Sequence, residues 1–366
     1  QMVCSTAILS ASLALSLLRH GAPPSQSFVL SPFSLNSALS IVHDGANGTT
    51  QEELSNLLLK GCTPSDVTDH YSSLALHLPS NDYTGVAFKS ANRFYVDDSI
   101  SLKVDYQKHV EDKYKVKVQN LNLTRKEEAA TEMNKFVDEA TDGMINDVVK
   151  ADGIDDKAKA ILINAIHFVG KWKLPFNPTS TRTGTFKGEK GDREVQSIDV
   201  ETVLILPYQV YFDILIILLI KIPDAQFSFF YLMPNATSSL EKMRSDLTGE
   251  KLHKALNGVQ ESTLDITVPK LKVDSKLDGV EVLNKLGVNS LFESSADLSK
   301  ISSTKLKVSK ITHNALIEVD EEGTKAGAST EVEMVLEMAR PEIVIDRPFL
   351  FGILDGDNLI FLGQFV

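Results

Sequence analysis

Histidines, cysteines and paired carboxylates are the residues most able to do chemistry in this chain. The histidines stand at His20, His43, His70, His77, His109, His167, His253 and His313. None lies at metal-ligand spacing from another histidine or from Cys4 or Cys62, so no metal site is expected. No G-x-S-x-G, G-x-G-x-x-G, P-loop or H-E-x-x-H stretch marks a nucleophile, a phosphate cradle or a zinc protease. Glu321 and Glu322 are adjacent, so their carboxylates diverge rather than converge on one substrate. His313 lies beside an apolar stretch and reads as a satisfied core residue. There is no positive ground for an enzyme or a cofactor.

The unusual stretch is 321–342, EEGTKAGASTEVEMVLEMARPE. One alternate set is Thr324, Ala326, Ala328, Thr330, Val332, Met334 and Leu336, all small or apolar. The other is Lys325, Gly327, Ser329, Glu331, Glu333, Val335 and Glu337, mostly charged or small. A period of two belongs to a strand with one buried face. The same stretch has loop composition, with Gly323, Gly327 and Pro341. Two readings stay open: an ordinary edge strand with a Gly-rich start, or a segment with an exposed state and a sheet-inserted state.

Glu321-Glu322-Gly323-Thr324-Lys325-Ala326-Gly327-Ala328-Ser329-Thr330 resembles the reactive-centre-loop hinge of an inhibitory serpin. Arg347-Pro348-Phe349-Leu350-Phe351 and Phe361-Leu362-Gly363 resemble that family's C-terminal strands, and the likeness extends over nearly the whole chain. The resemblance implies an α+β serpin fold with about nine helices around three sheets. It implies a single domain over 1–366 with an exposed reactive-centre loop at about 322–342. The largest sheet would accept an extra strand, and the helix at 125–140 would lie across it.

The implied activity is irreversible suicide-substrate inhibition of serine proteases, with papain-like cysteine proteases as a further class. Loop spacing puts the reactive bond at Glu337–Met338, with Leu336 and Glu337 setting specificity; cleavage after Leu336 or Met338 is the competing register. A glutamate there suits a protease with a basic pocket, such as a granzyme-B-like enzyme, while Leu336 suits the second pocket of papain-like proteases. The hinge residues are Glu321, Gly323, Thr324, Ala326, Gly327, Ala328, Ser329 and Thr330. Lys325 and Gly327 depart from the family's usual acidic residue and alanine. Ser31, Ser34, Asn164 and His313 match the family's "shutter" beneath the point where the sheet parts. Trp172, Lys270 and Glu321 match its "breach". The alternative is a non-inhibitory serpin acting as carrier, chaperone or storage protein.

The formal charge of −12 argues against nucleic acid and heparin-like polyanions, and 62–78 contains no Lys or Arg. Ile214–Ile220 is too short to span a bilayer, so no membrane partner is expected. Two cysteines allow one disulfide, but reduced thiols are the expectation. The apolar run from Ala7 to Leu18 has no positive residue before it and reads as a packed first helix. The expected compartment is cytoplasmic, with secretion as the alternative because sequons stand at Asn47, Asn122 and Asn235. A monomer is expected, with a hazard of loop–sheet polymerisation. The very apolar 203–222 stretch adds a hazard of strand-edge association.

The elements that must position these residues are legible in outline. Phe28–Leu30 reads as a strand, followed by a helix capped by Ser31, with Pro32 at its first position and Gly45 at its end. Thr50 with Glu53, and Thr124 with Glu127, read as capping boxes. The second opens a helix with Ala130, Met133, Phe136, Val137 and Ala140 on one face. Residues 86–96 and 161–169 read as buried strands, the latter central. Strands dominate from Thr185 onward, apart from helices near 239–256 and 277–287. Asp355–Asn358 marks a hairpin turn between apolar runs.

Overall fold

In the computed structural model the described residues are 4–78, 86–170, 179, 181–200, 214–221, 227–257, 265–319 and 342–366. Among them, nine α-helices and three sheets are present. The first half holds α1 (Thr6–Gly21), β1 (Phe28–Leu30), α2 (Pro32–Gly45), α3 (Gly48–Leu58), α4 (Pro64–His77), β2 (Val86–Asp97), α5 (Val104–Tyr114), β3 (Lys117–Leu121), α6 (Lys126–Ala140) and β4 (Ala160–Gly170). Then follow β5 (Thr181–Gly188), β6 (Gly191–Val200), β7 (Ile214–Lys221), β8 (Phe227–Pro234), α7 (Leu240–Asp246), α8 (Gly249–Asn257), β9 (Asp265–Pro269), β10 (Leu271–Asp278) and α9 (Gly279–Lys285). The chain closes with β11 (Lys310–Val319), β12 (Glu342–Val344), β13 (Phe349–Asp355) and β14 (Asn358–Phe365).

One five-stranded sheet has the order β10-β11-β4-β2-β3. Its centre is a parallel pair: Lys310–Ile317 of β11 runs beside Ile161–Phe168 of β4. The second sheet, β1-β14-β13-β8-β7, has the apolar β7 at one edge. The third has the order β12-β9-β6-β5. β11 ends in the first sheet at Val319, and the next described strand, β12, begins at Glu342 in the third sheet.

β4 reads as a nearly unbroken apolar run because both its faces are covered. Ile161, Ile163 and Ala165 pack under α6, together with Ala130, Met133 and Val137. Leu162, Ile166 and Phe168 point the other way, into the layer shared with α2 and the second sheet. Burying Met133 and Val137 contributes about 1.5–3 kcal/mol each, so α6 is held by a short apolar face. Glu127 and Glu128 in its first turn favour the positive end of the helix dipole.

Several sequence expectations need correction. Cys4 and Cys62 are joined, with Cα atoms 4.9 Å apart, so the reduced-thiol expectation fails. The disulfide ties the start of α1 to the residue just before the N-cap of α4. Neither expected capping box forms. Thr50 and Glu53 lie within α3 and turn outward to a distant loop. Thr50 Oγ1 accepts from the Asp297 amide at 3.0 Å, and Glu53 Oε2 accepts from the Asn289 and Ser290 amides, both at 2.9 Å. Thr124 instead donates its hydroxyl to Asn122 Oδ1 at 2.6 Å, and α6 starts without a side-chain cap. A capping box does form at Thr63 and Asp66, opening α4. The region read as a helix from 277 is strand through Asp278, whose carboxylate then caps α9.

Candidate functional site

The sequence-predicted polar cluster assembles at the centre of the large sheet. β11 and β4 are in a register that places His313 opposite Asn164. On the other side of β4, Asn92 of β2 is also opposite Asn164. All these side chains share the face of the sheet toward α2, where Ser31 is the N-cap and Ser34 occupies the first turn. Ser31, with Pro32 after it, starts the helix there because its Oγ accepts the Ser34 amide at 3.2 Å.

Asn164 is the hub. Its Nδ2 donates to Ser34 Oγ at 2.6 Å, to the Ser34 carbonyl at 3.0 Å and to Asn92 Oδ1. Its Oδ1 accepts from His313 Nδ1, and His313 Nε2 accepts the Ser31 amide at 2.9 Å. That pattern requires a neutral imidazole with its proton on Nδ1. Burial pushes the His313 pKa down to about 3, in keeping with a neutral ring. Ser31, Ser34, Asn164 and His313 are all buried. The cluster interrupts an apolar layer, between Leu162 and Ile311 on one side and Ile166 and Ala315 on the other. Buried polar groups left without partners cost roughly 1–3 kcal/mol each, so this network moves as a unit or not at all.

Asn92 was not singled out from the sequence. β2 also carries Lys89, Ser90, Arg93 and Asp97, so nothing local in its sequence set Asn92 apart. Lys270 is half-buried at the junction of β9 and β10, where its amide donates to the Gln196 carbonyl at 2.8 Å. Trp172, the hinge residues Glu321, Gly323, Thr324, Ala326, Gly327, Ala328, Ser329 and Thr330, and Leu336, Glu337 and Met338 lie outside the described residues. Among the described residues no group of three His, Cys, Asp or Glu side chains could hold a metal ion. No helix among them is long and apolar enough to cross a membrane.

A family model described as "Serpin (serine protease inhibitor)" matches residues 9–366. The chain is 31% identical to Iris of Ixodes ricinus over 357 residues, covering 91% of this chain and 90% of that protein. It is 30% identical to Serine protease inhibitor 42Dd of Drosophila melanogaster, covering 93% and 91% respectively. The fold resembles uncleaved ovalbumin with a TM-score of 0.90, 24% identity and 99% of each chain covered.

Proposed function

This chain belongs to the serpin family, and we propose that it is an irreversible suicide-substrate inhibitor of serine proteases. Its reactive-centre loop, 322–342, offers Glu337–Met338 for cleavage, with Leu336 and Glu337 read by the target. A granzyme-B-like serine protease fits the acidic residue, and a papain-like cysteine protease fits Leu336. After the first chemical step the protease is held as an acyl-enzyme, and the freed segment from Thr324 enters the large sheet between β4 and β11.

The observation that carries this reading is the direct parallel pairing of β4 with β11, immediately before the hinge. A segment that turns back at Gly323 runs antiparallel to both strands and hydrogen-bonds to each. Parallel pairing is slightly weaker per residue than antiparallel pairing, so the exchange favours insertion. Each inserted residue gains about 0.5–1.5 kcal/mol net from main-chain bonds. Over a dozen or so residues, with apolar burial added, the gain is on the order of 10 kcal/mol. Thr324, Ala326, Ala328 and Thr330 suit rapid entry because they bring no charge into the sheet.

Entry must part β4 from β11, which breaks the bond between His313 and Asn164. The polar cluster is thus the latch of the sheet, and α6 is the strap across it. We assign Lys270, between β9 and β10, to the breach where insertion starts, together with Glu321 and Trp172. The Cys4–Cys62 disulfide favours the secreted alternative over a cytoplasmic one, because disulfides persist in oxidising compartments.

Incubation with an acid-specific serine protease tests the reading. A covalent complex that survives SDS supports it. Cleavage with release of active protease would assign the chain to the carrier, chaperone or storage class.

A further inference from the structure

The fold treats the three Asn-x-Ser/Thr triplets of the sequence differently. Asn122-Leu123-Thr124 lies in the turn between β3, which ends at Leu121, and α6, which starts at Lys126. Asn235-Ala236-Thr237 lies in the turn between β8, which ends at Pro234, and α7, which starts at Leu240. Asn47-Gly48-Thr49 instead opens α3, with Asn47 as its N-cap.

In the two turns the asparagine closes over its own threonine. Asn122 Oδ1 accepts the Thr124 hydroxyl at 2.6 Å and the Thr124 and Arg125 amides, both at 3.2 Å. Asn235 Oδ1 accepts the Thr237 hydroxyl at 2.8 Å and the Thr237 amide at 3.0 Å. These bonds span at most three residues, so the turns need no distant partner and can form in a chain that has not yet folded. The carbonyl oxygen takes the local donors and leaves the nitrogen to face away from them. Asn122 Nδ2 donates to Asp98 Oδ2 at 3.0 Å, a surface bond that water can replace. Thr124, Ala236 and Thr237 are exposed.

The third triplet is built the other way. Asn47 Nδ2 donates to Ser299 Oγ at 2.8 Å, and its backbone amide donates to the Asp297 carbonyl at 2.9 Å. Its side chain accepts no amide of α3. The nitrogen that would carry a sugar therefore faces the 297–299 turn, which also bonds Thr50 through the Asp297 amide.

We propose that Asn122 and Asn235 are N-glycosylated in the secreted chain and that Asn47 is not. The donor is a lipid-diphosphate-linked oligosaccharide. Asparagine Nδ2 forms a bond to the anomeric carbon, the bond from that carbon to the diphosphate oxygen breaks, and the lipid diphosphate leaves with the electron pair. One Nδ2 proton is released. A glycan on Asn47 would stand where the 297–299 turn packs. Pro234 pairs with Ile214, the first residue of β7, the apolar strand at the edge of the second sheet. The glycan on Asn235 stands beside that edge and hinders its pairing with another copy of the chain. The proposal rests on the oxidising compartment indicated by the Cys4–Cys62 disulfide, not on protease inhibition.

The test is peptide mapping of the full chain secreted from cultured insect cells. Peptide-N-glycosidase in water enriched in heavy oxygen converts each glycan-bearing asparagine to labelled aspartate. Label is expected at positions 122 and 235 and not at 47. On gels the enzyme should remove two steps of apparent mass, Asn122→Gln and Asn235→Gln should each remove one, and Asn47→Gln none. Unlabelled Asn122 or Asn235 in the secreted protein, or comparable label at Asn47, would overturn the proposal. The map of the unmodified chain decides occupancy even if a variant is not secreted. Asn235→Gln should also raise the oligomer fraction on size exclusion above that of Asn122→Gln, and equal fractions would overturn the shielding of β7.

Discussion

His313 donates its Nδ1 proton to Asn164 Oδ1 across the one parallel seam between described strands at the centre of the large sheet. The same ring accepts the Ser31 amide through Nε2, so a single neutral imidazole ties β11 to both β4 and the start of α2. Its protonation would remove an acceptor and bury a charge.

The sign of the pH dependence follows. The folded-state pKa of His313, about 3, lies below its ordinary value of 6.5. The unfolded chain therefore takes up the proton first as pH falls. Stability from this group is complete above about 6.5 and is lost between there and about 3, at no more than about 1.4 kcal/mol per pH unit. Burial lowers the pKa of His167 and His70 too, which adds to the same slope. Denaturant midpoints measured from pH 7 down to pH 4 should fall, and His313→Gln should flatten the fall. An unchanged slope in a folded His313→Gln protein would contradict the neutral-imidazole assignment.

Asn164→Ala should cost about 3 kcal/mol, because it leaves groups on His313, Ser34 and Asn92 without partners. Ser34→Ala should cost less. The two effects should not add, since the residues share one network, and a coupling of about 1 kcal/mol or more is expected in a double-mutant cycle. Chemical denaturation of the four proteins supplies the cycle, and strict additivity would show that the cluster does not act as a unit.

The Cys4–Cys62 disulfide closes a loop with a sequence separation of 58, and its loss by Cys62→Ser should cost about 2–4 kcal/mol. Thiol titration of the denatured, unreduced protein should find none. Two titratable thiols in protein purified from an oxidising compartment would restore the reduced-cysteine reading.

Thr324→Arg should turn the inhibitor into a substrate. The first residue to enter the sheet would then carry a charge into a buried position, at a cost of several kcal/mol. Complex formation on SDS gels should drop sharply while loop cleavage persists. N-terminal sequencing of the released fragment should begin at Met338; a fragment beginning at Glu337 or Ala339 would move the reactive bond to the competing register.

The parts of the fold that the sequence made legible are those governed by local rules or by strict periodicity. Ser31-Pro32 announced the start of α2, the run from Ile161 announced a strand covered on both faces, and Asp355–Asn358 announced the final hairpin. Four members of the polar cluster were singled out through family resemblance; the sheet register sets His313 beside Asn164, and the start of α2 brings Ser31 and Ser34 onto them. What escaped was set by distant partners. Thr50 and Glu53 have the spacing of a capping box, but their oxygens serve the 289–297 loop, which local spacing cannot reveal. Cys4 and Cys62 meet only because α1 packs near α4. Asn92 became part of the site through its register with Asn164 rather than through any motif.

The central claim is that the intact chain stores energy which loop insertion releases. The direct measurement is the melting temperature before and after a single cut in 322–342 by a protease that is not itself inhibited. The account predicts a rise on the order of 10 °C or more in the cleaved protein. A cleaved protein that melts where the intact one does would contradict it.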